Sequence, residues 1–153
     1  MRAPARKRRA SAPRTAASAA PRKKPRKGEE TAQKAVISWA KWIPIPVAPD
    51  IEAGARVGDY LFAIPNGGSR DVREAANLKA SGVKAGVWDL QLPIARHGFH
   101  GLWVEMKHGD NDLTDKQIEW RDRMLLAGWK MRVAWTAYEA ERAIADYLGI
   151  KML

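Results

Sequence analysis

The 153-residue chain contains no cysteine. That one absence removes a disulfide scaffold, a thiolate zinc site and a cysteine nucleophile. It fits a reducing compartment. No run of about eighteen apolar residues occurs, so no transmembrane helix is expected. The N-terminus lacks the apolar stretch of a secretory signal. Residues 1–27 contain no acid at all, although eleven of the chain's 27 lysines and arginines lie there. Pro4, Pro13, Pro21 and Pro25 interrupt the same stretch, which works against the amphipathic helix of an organelle transit peptide.

The net charge of +10 is therefore local. Beyond Lys27 the remaining 16 basic residues face all 17 acidic ones, so that part is close to neutral. Residues 1–28 read as a low-complexity, disordered basic arm, and residues 29–153 as one domain. A polybasic arm binds polyanions by neutralising phosphates and releasing counterions, without reading sequence. Arg22, Lys23, Lys24, Arg26 and Lys27 are its densest cluster. A nucleic-acid partner follows from this charge, but no chemistry does.

The ordered part starts near Glu29. Ala32, Val36, Trp39, Ala40 and Ile43 have helical spacing, ended by Pro44 and Pro46. A loop leads to a short strand, Tyr60 to Ile64, and a turn at Pro65-Asn66-Gly67-Gly68. A helix is expected from Asp71 to Ala80. Two alternating strands follow, Val87 to Ile94 and Gly101 to Lys107. In the first, Trp88, Leu90 and Leu92 should face one way and Asp89 and Gln91 the other. A helix from about Thr114 to Ala127, a strand from Lys130 to Trp135 and a final amphipathic helix complete the order α-β-α-β-β-α-β-α. A mixed α/β sandwich is the natural architecture. Of seven tryptophans, Trp39, Trp103, Trp129 and Trp135 are expected in the core; an exposed one would suit a base stack or a dimer contact.

Three charged residues stand out within these apolar strands: Asp89, Glu105 and Lys107. A mid-strand charge is costly unless it pairs or binds metal. If the two strands are neighbours, the three converge on one face and suit a hard divalent cation with a lysine beside it. Such a cation polarises a phosphodiester and lowers the pKa of a bound water. An E-x-K triplet by itself is more often a solvated strand face. Gln117, three residues after Thr114, reads from the residues alone first as half of a capping box. Glu29 and Glu30 both open a helix, where an acid is favoured by the dipole whatever its role. His97 and His100 form an H-x-x-H without fixed metal geometry, and His108 reads as a loop histidine. Asn66, Gly67 and Arg70 serve as a turn or let backbone approach a phosphate.

The strings Gly82-Val83-Lys84-Ala85-Gly86-Val87-Trp88-Asp89-Leu90, Gly101-Leu102-Trp103-Val104-Glu105-Met106-Lys107 and Leu113-Thr114-Asp115-Lys116-Gln117 together resemble the VRR-NUC family, the virus-type replication-repair branch of the PD-(D/E)XK nucleases. Glu30-Thr31-Ala32-Gln33 resembles that family's first-helix motif, and Ile64-Pro65-Asn66-Gly67-Gly68 its turn. The resemblance runs from about Glu30 to Leu148 and is nearest the small stand-alone phage and bacterial members. It implies a restriction-endonuclease-like mixed sheet flanked by helices. It also implies Asp89 and Glu105 as ligands of Mg²⁺ or Mn²⁺, with Glu30 and the Met106 backbone carbonyl facing the same cation. Lys107 becomes the catalytic lysine and Gln117 a site-holding residue. Arg70, Asn66, Gly67 and Lys84 become DNA contacts beside the basic arm. The activity implied is endonucleolytic hydrolysis of branched or junction DNA in replication, repair or recombination. A homodimer and a cytoplasmic setting, in a bacterial or phage-infected cell, come with it; an organic cofactor or a membrane does not. Trp88 departs from the family, which usually has proline there. The rival readings are a non-catalytic DNA-binding module, an RNA-directed nuclease of the same superfamily, and a chromatin-like structural protein.

Overall fold

The computed structural model describes residues 27–65 and 77–152. The turn residues Asn66, Gly67 and Arg70 lie outside them, as do Arg22, Lys23, Lys24 and Arg26 of the arm. The elements are α1 (Lys27–Ala40), a short α2 (Val57–Tyr60), β1 (Phe62–Ala63), β2 (Leu90–Leu92), β3 (Leu102–Met106), α3 (Asp115–Leu126), β4 (Lys130–Ala134) and α4 (Ala137–Leu148). Residues 77–80 are also helical.

The four strands form one sheet in the order β1-β2-β3-β4. The first two pairings are antiparallel and β3–β4 is parallel. A parallel pair needs a crossover, and α3 supplies it. β3 is buried at all five positions, because helices cover both faces of the sheet. Leu90, Leu92, Leu102, Val104 and Met106 meet Val36 and Ala40 of α1 and Ile144 and Leu148 of α4. On the other face Trp103 and Met131 meet Trp120 and Met124 of α3. Both faces exclude water, so a charge in the middle of β3 has no solvent to turn to.

Local chemistry sets the element ends. Thr114 caps α3 by accepting from Gln117 N, and Thr136 caps α4 by accepting from Glu139 N. Gly149 closes α4 in the left-handed conformation, φ 72°. Between β2 and β3, His97 (φ 53°) and Gly98 (φ 81°) form the tip of a tight turn bridged by Arg96 and Phe99. Positive φ at both tip residues matches the twist of the flanking strands.

Three expectations are corrected. The strand expected over Tyr60 to Ile64 is a helical turn followed by the two-residue β1, since Val57–Tyr60 closes with Leu61 N donating to Val57 O. The expected Val87 to Ile94 strand is only Leu90–Leu92, because the chain bends at Asp89. Alternation therefore fails before Leu90: Trp88 is buried with Trp103 and Met131, and not with Leu90 and Leu92. Trp135, expected in the core, is 43% exposed just past the end of β4.

Candidate active site

β3 ends in Glu105 and Met106, Lys107 follows directly, and both ionic side chains are buried, at 2% and 6% exposure. Lys107 Nζ donates to Glu105 Oε1 at 2.9 Å and to Gln117 Oε1 at 2.9 Å. Gln117 Nε2 also donates to Glu105 Oε1. The same Gln117 Oε1 accepts from Thr114 N at 3.0 Å. The two sequence readings of Gln117 thus coexist: one side chain completes the helix cap and ties the lysine to the glutamate. A buried ion pair is stable only when its remaining groups are also satisfied; Gln117 supplies much of that.

Asp89 stands across from this pair, just before β2. Its Oδ2 accepts from Met106 N at 2.9 Å, which pins the carboxylate to β3. Glu105 Oε2 is buried and has no hydrogen-bond partner among the described residues. Burial, and then the charge of Asp89, push the Glu105 carboxyl up to about 8, against the opposing pull of Lys107. Glu29 adds to the upward push. Crowded carboxylates with an unsatisfied buried oxygen are what a divalent cation neutralises, and the donors are hard oxygens suited to Mg²⁺ or Mn²⁺. No group of three or more His, Cys, Asp or Glu side chains gathers into a cation site among the described residues. Asp89 and Glu105 fit such an ion only with further oxygens, from the Met106 carbonyl, water or substrate.

The acid that α1 contributes is Glu29. It accepts from Asn111 Nδ2 at 3.1 Å and acts electrostatically on Glu105. Glu30 points elsewhere: it is exposed and paired with Lys34 at 2.6 Å, which holds its carboxyl below the usual range. Helical geometry explains the difference, since adjacent residues project about 100° apart. His108 packs its ring against Gly28, where an added Cβ would lie 2.5 Å away, so the loop after Lys107 docks on the start of α1. Lys84 is exposed in the loop before Gly86. His97 meets Tyr147 O and His100 stacks edgewise on Trp129, so the H-x-x-H pair diverges.

Sequence reasoning missed the support under Gln117. Trp88 Nε1 donates to Gln117 O at 3.1 Å. Two residues earlier, Gly86 (φ +84°) lies so close to α3 that an added Cβ would be 2.3 Å from Lys116 O. Only glycine fits both that φ and that approach. The segment carrying Asp89 therefore grips two successive residues of the first turn of α3. The signal was present as Gly86-Val87-Trp88, but only the fold shows what the indole reaches.

No protein-family model matches the sequence, and no curated protein matches it. A solved structure described as a VRR_NUC domain protein is similar: 29% identity, covering 80% of this chain and 89% of that one, with a TM-score of 0.64. The mixed sheet with flanking helices agrees with a restriction-endonuclease-like α/β fold, and the motif resemblance is borne out. Among the described residues no helix is long and apolar enough to cross a membrane.

Proposed function

We propose that this chain, a VRR-NUC nuclease-type domain, is a Mg²⁺- or Mn²⁺-dependent endonuclease that hydrolyses DNA phosphodiesters, with branched DNA as its preferred class. The observation that carries the reading is the buried Glu105–Lys107 pair, held by the half-buried Gln117 and facing Asp89. A structural core gains nothing from burying a carboxylate and a lysine with a second, half-buried carboxylate facing them, because replacing such a set with apolar residues is often neutral or stabilising. A non-catalytic DNA-binding module is disfavoured for a further reason: it would aim carboxylates at phosphate.

In this reading Asp89 and Glu105, with the Met106 carbonyl, hold the cation. When bound, it supplies charge neutralisation at the phosphate and acidifies water. The hydrogen bond from Met106 N keeps Asp89 turned toward Glu105. Gln117 keeps Lys107 Nζ at the edge of the carboxylate pair, where its charge and protons meet a phosphate oxygen or the attacking water. Water adds to phosphorus in line, one P–O ester bond breaks, and the products are a phosphate monoester and a sugar hydroxyl. Burial of both Glu105 and Lys107 keeps bulk water from weakening these interactions. The arm, from Arg22 to Lys27, raises residence on DNA without choosing sequence.

The test is cleavage of labelled junction, flap, single-stranded and duplex DNA in Mg²⁺, Mn²⁺ and EDTA. The wild type should cut in either metal, stop in EDTA, and lose at least roughly 10³-fold in rate as Lys107→Ala, the loss of a principal electrostatic group. Binding without cutting by the wild type sinks the nuclease reading; cutting of RNA alone moves the substrate class to RNA.

A further inference from the structure

Beside the catalytic cluster lies a groove of about 450 Å³, lined by Asp112, Leu113, Ile118, Arg121, Val133 and Trp135. It touches the cluster from three directions. Val133 is the cross-strand partner of Glu105. Leu113 directly precedes Thr114, which donates to Gln117 Oε1. Lys107 N donates to Ala134 O, so Lys107 and Trp135 leave the sheet side by side. Trp135 and Ile118 are left 43% and 36% exposed there.

The charge pattern separates two kinds of surface. The cluster carries Asp89 and Glu105 with Glu29 nearby, a place for a cation and a phosphate. The groove carries one acid and one base, and Arg121 is already paired with Asp122 at 2.8 Å. Its walls are otherwise apolar, with one broad aromatic surface. A phosphate gains little from it. A nucleobase is neutral, flat and connected by one sugar to a phosphate, which is what a neutral aromatic groove next to a phosphate site suits.

We propose that this groove is a subsite for one unpaired nucleobase, stacked on Trp135 and adjacent to the phosphate being cut. The inference rests on the nuclease reading above and sharpens its substrate class. A base within an intact duplex is stacked on its neighbours and held by its complement, so entry costs unstacking and unpairing. A base in a flap, overhang or junction arm pays less. The groove thereby selects DNA with unpaired nucleotides at the cut, independently of the basic arm, which adds affinity for all DNA alike. A base–aromatic stack strengthens binding by roughly five- to hundredfold.

The experiment titrates the full chain, in Ca²⁺ so that binding is read without turnover, onto a blunt duplex and onto the same duplex with a short overhang. 2-Aminopurine is placed at successive overhang positions. One position should be quenched on binding by the wild type. Trp135→Ala should abolish that quenching and weaken overhang binding at least about fivefold while leaving blunt-duplex binding unchanged. Trp135→Phe should keep most of both. Trp135 is half exposed, so these variants are expected to fold. Unchanged quenching and preference in Trp135→Ala overturn the subsite. So does a shift of that variant from dimer to monomer in sedimentation, with equal losses on both DNAs, which would make the groove a contact between two copies. Cleavage by the wild type with no role for Trp135 removes the subsite alone; Trp135-dependent stacking without any cleavage in Mg²⁺ removes the nuclease reading alone.

Discussion

On one face of the sheet, Leu90, Leu92, Leu102, Val104 and Met106 pack against α1 and α4. On the other, Trp103 and Met131 pack against α3, with Glu105 and Lys107 among them. The first face is aliphatic. The second holds all three buried side-chain polar atoms that have no partner among the described residues: Trp103 Nε1, Glu105 Oε2 and Trp120 Nε1. An unpartnered buried polar group costs about 1–3 kcal/mol. The same strands thus carry a face that stabilises the fold and a face that spends part of that stability on a charged site. Substitutions on the two faces should therefore fail differently.

The largest effect on stability should come from the aliphatic face. Leu90→Ala removes a fully buried side chain and should cost about 2–5 kcal/mol in a denaturant melt. Its cutting rate per folded molecule should stay near that of the wild type. A proportional loss of rate would show that the two faces are not separable. Lys107→Ala should behave in the opposite sense, losing activity far beyond what its loss of stability explains.

Next in size is a pH effect confined to the site face. Glu105 titrates near 4.5 when unfolded and near 8 when folded. Between those values the folded state binds more protons, so stability falls as pH rises. In metal-free protein this contribution is complete below pH 4.5 and gone above about pH 8, a change on the order of a few kcal/mol. Thermal melts in EDTA across that window check it, and Mg²⁺ at pH 8 should restore much of the loss. Glu105→Gln should flatten the profile; Leu90→Ala should lower it without changing its shape.

Trp88→Phe keeps most of the ring and removes the N–H that holds Gln117 O. It should lower kcat roughly tenfold with little change in KM, since small displacements of a catalytic group carry costs of that size. In a Gln117→Ala background the same substitution should cost little more, as expected if Trp88 acts through Gln117. The smallest effects separate the two α1 acids. Glu29→Gln should alter Mn²⁺ dependence several-fold, through its action on Glu105. Glu30→Gln, an exposed group paired with Lys34, should stay within about twofold of wild type. A reversal of that pair would return the first-helix role to Glu30.

Much of this organisation could be read directly from residue order. The periodicity of Val36, Ala40, Ile144 and Leu148, the caps at Thr114 and Thr136, and the alternation of β3 are local patterns, and local geometry governs them. The pattern of Asp89, Glu105 and Lys107 alone pointed to a site only weakly; the resemblance to the VRR-NUC motifs is what nominated them together with Gln117. Long-range facts were a different matter. Whether Glu29 or Glu30 faces Glu105 depends on how α1 rotates against the sheet. Whether Trp88 joins Leu90 or Trp103 depends on a bend at Asp89 that alternation does not encode. Trp135 looks like core in a string of apolar residues, and is surface because it lies just past the end of β4, on the wall of an open groove.

The sequence by itself determined that a near-neutral stretch follows a basic one, that helices are capped at Thr114 and Thr136, and that the β3 residues alternate between two faces, because these follow from composition, periodicity and spacing. Only the tertiary structure decided that the E-x-K face is buried rather than solvated, and that one glutamine serves both a helix cap and an ion pair. It also decided that a tryptophan is left exposed beside the lysine. Those outcomes depend on which surfaces meet, and contacts between segments distant in the chain are set by packing, not by the pattern within either segment.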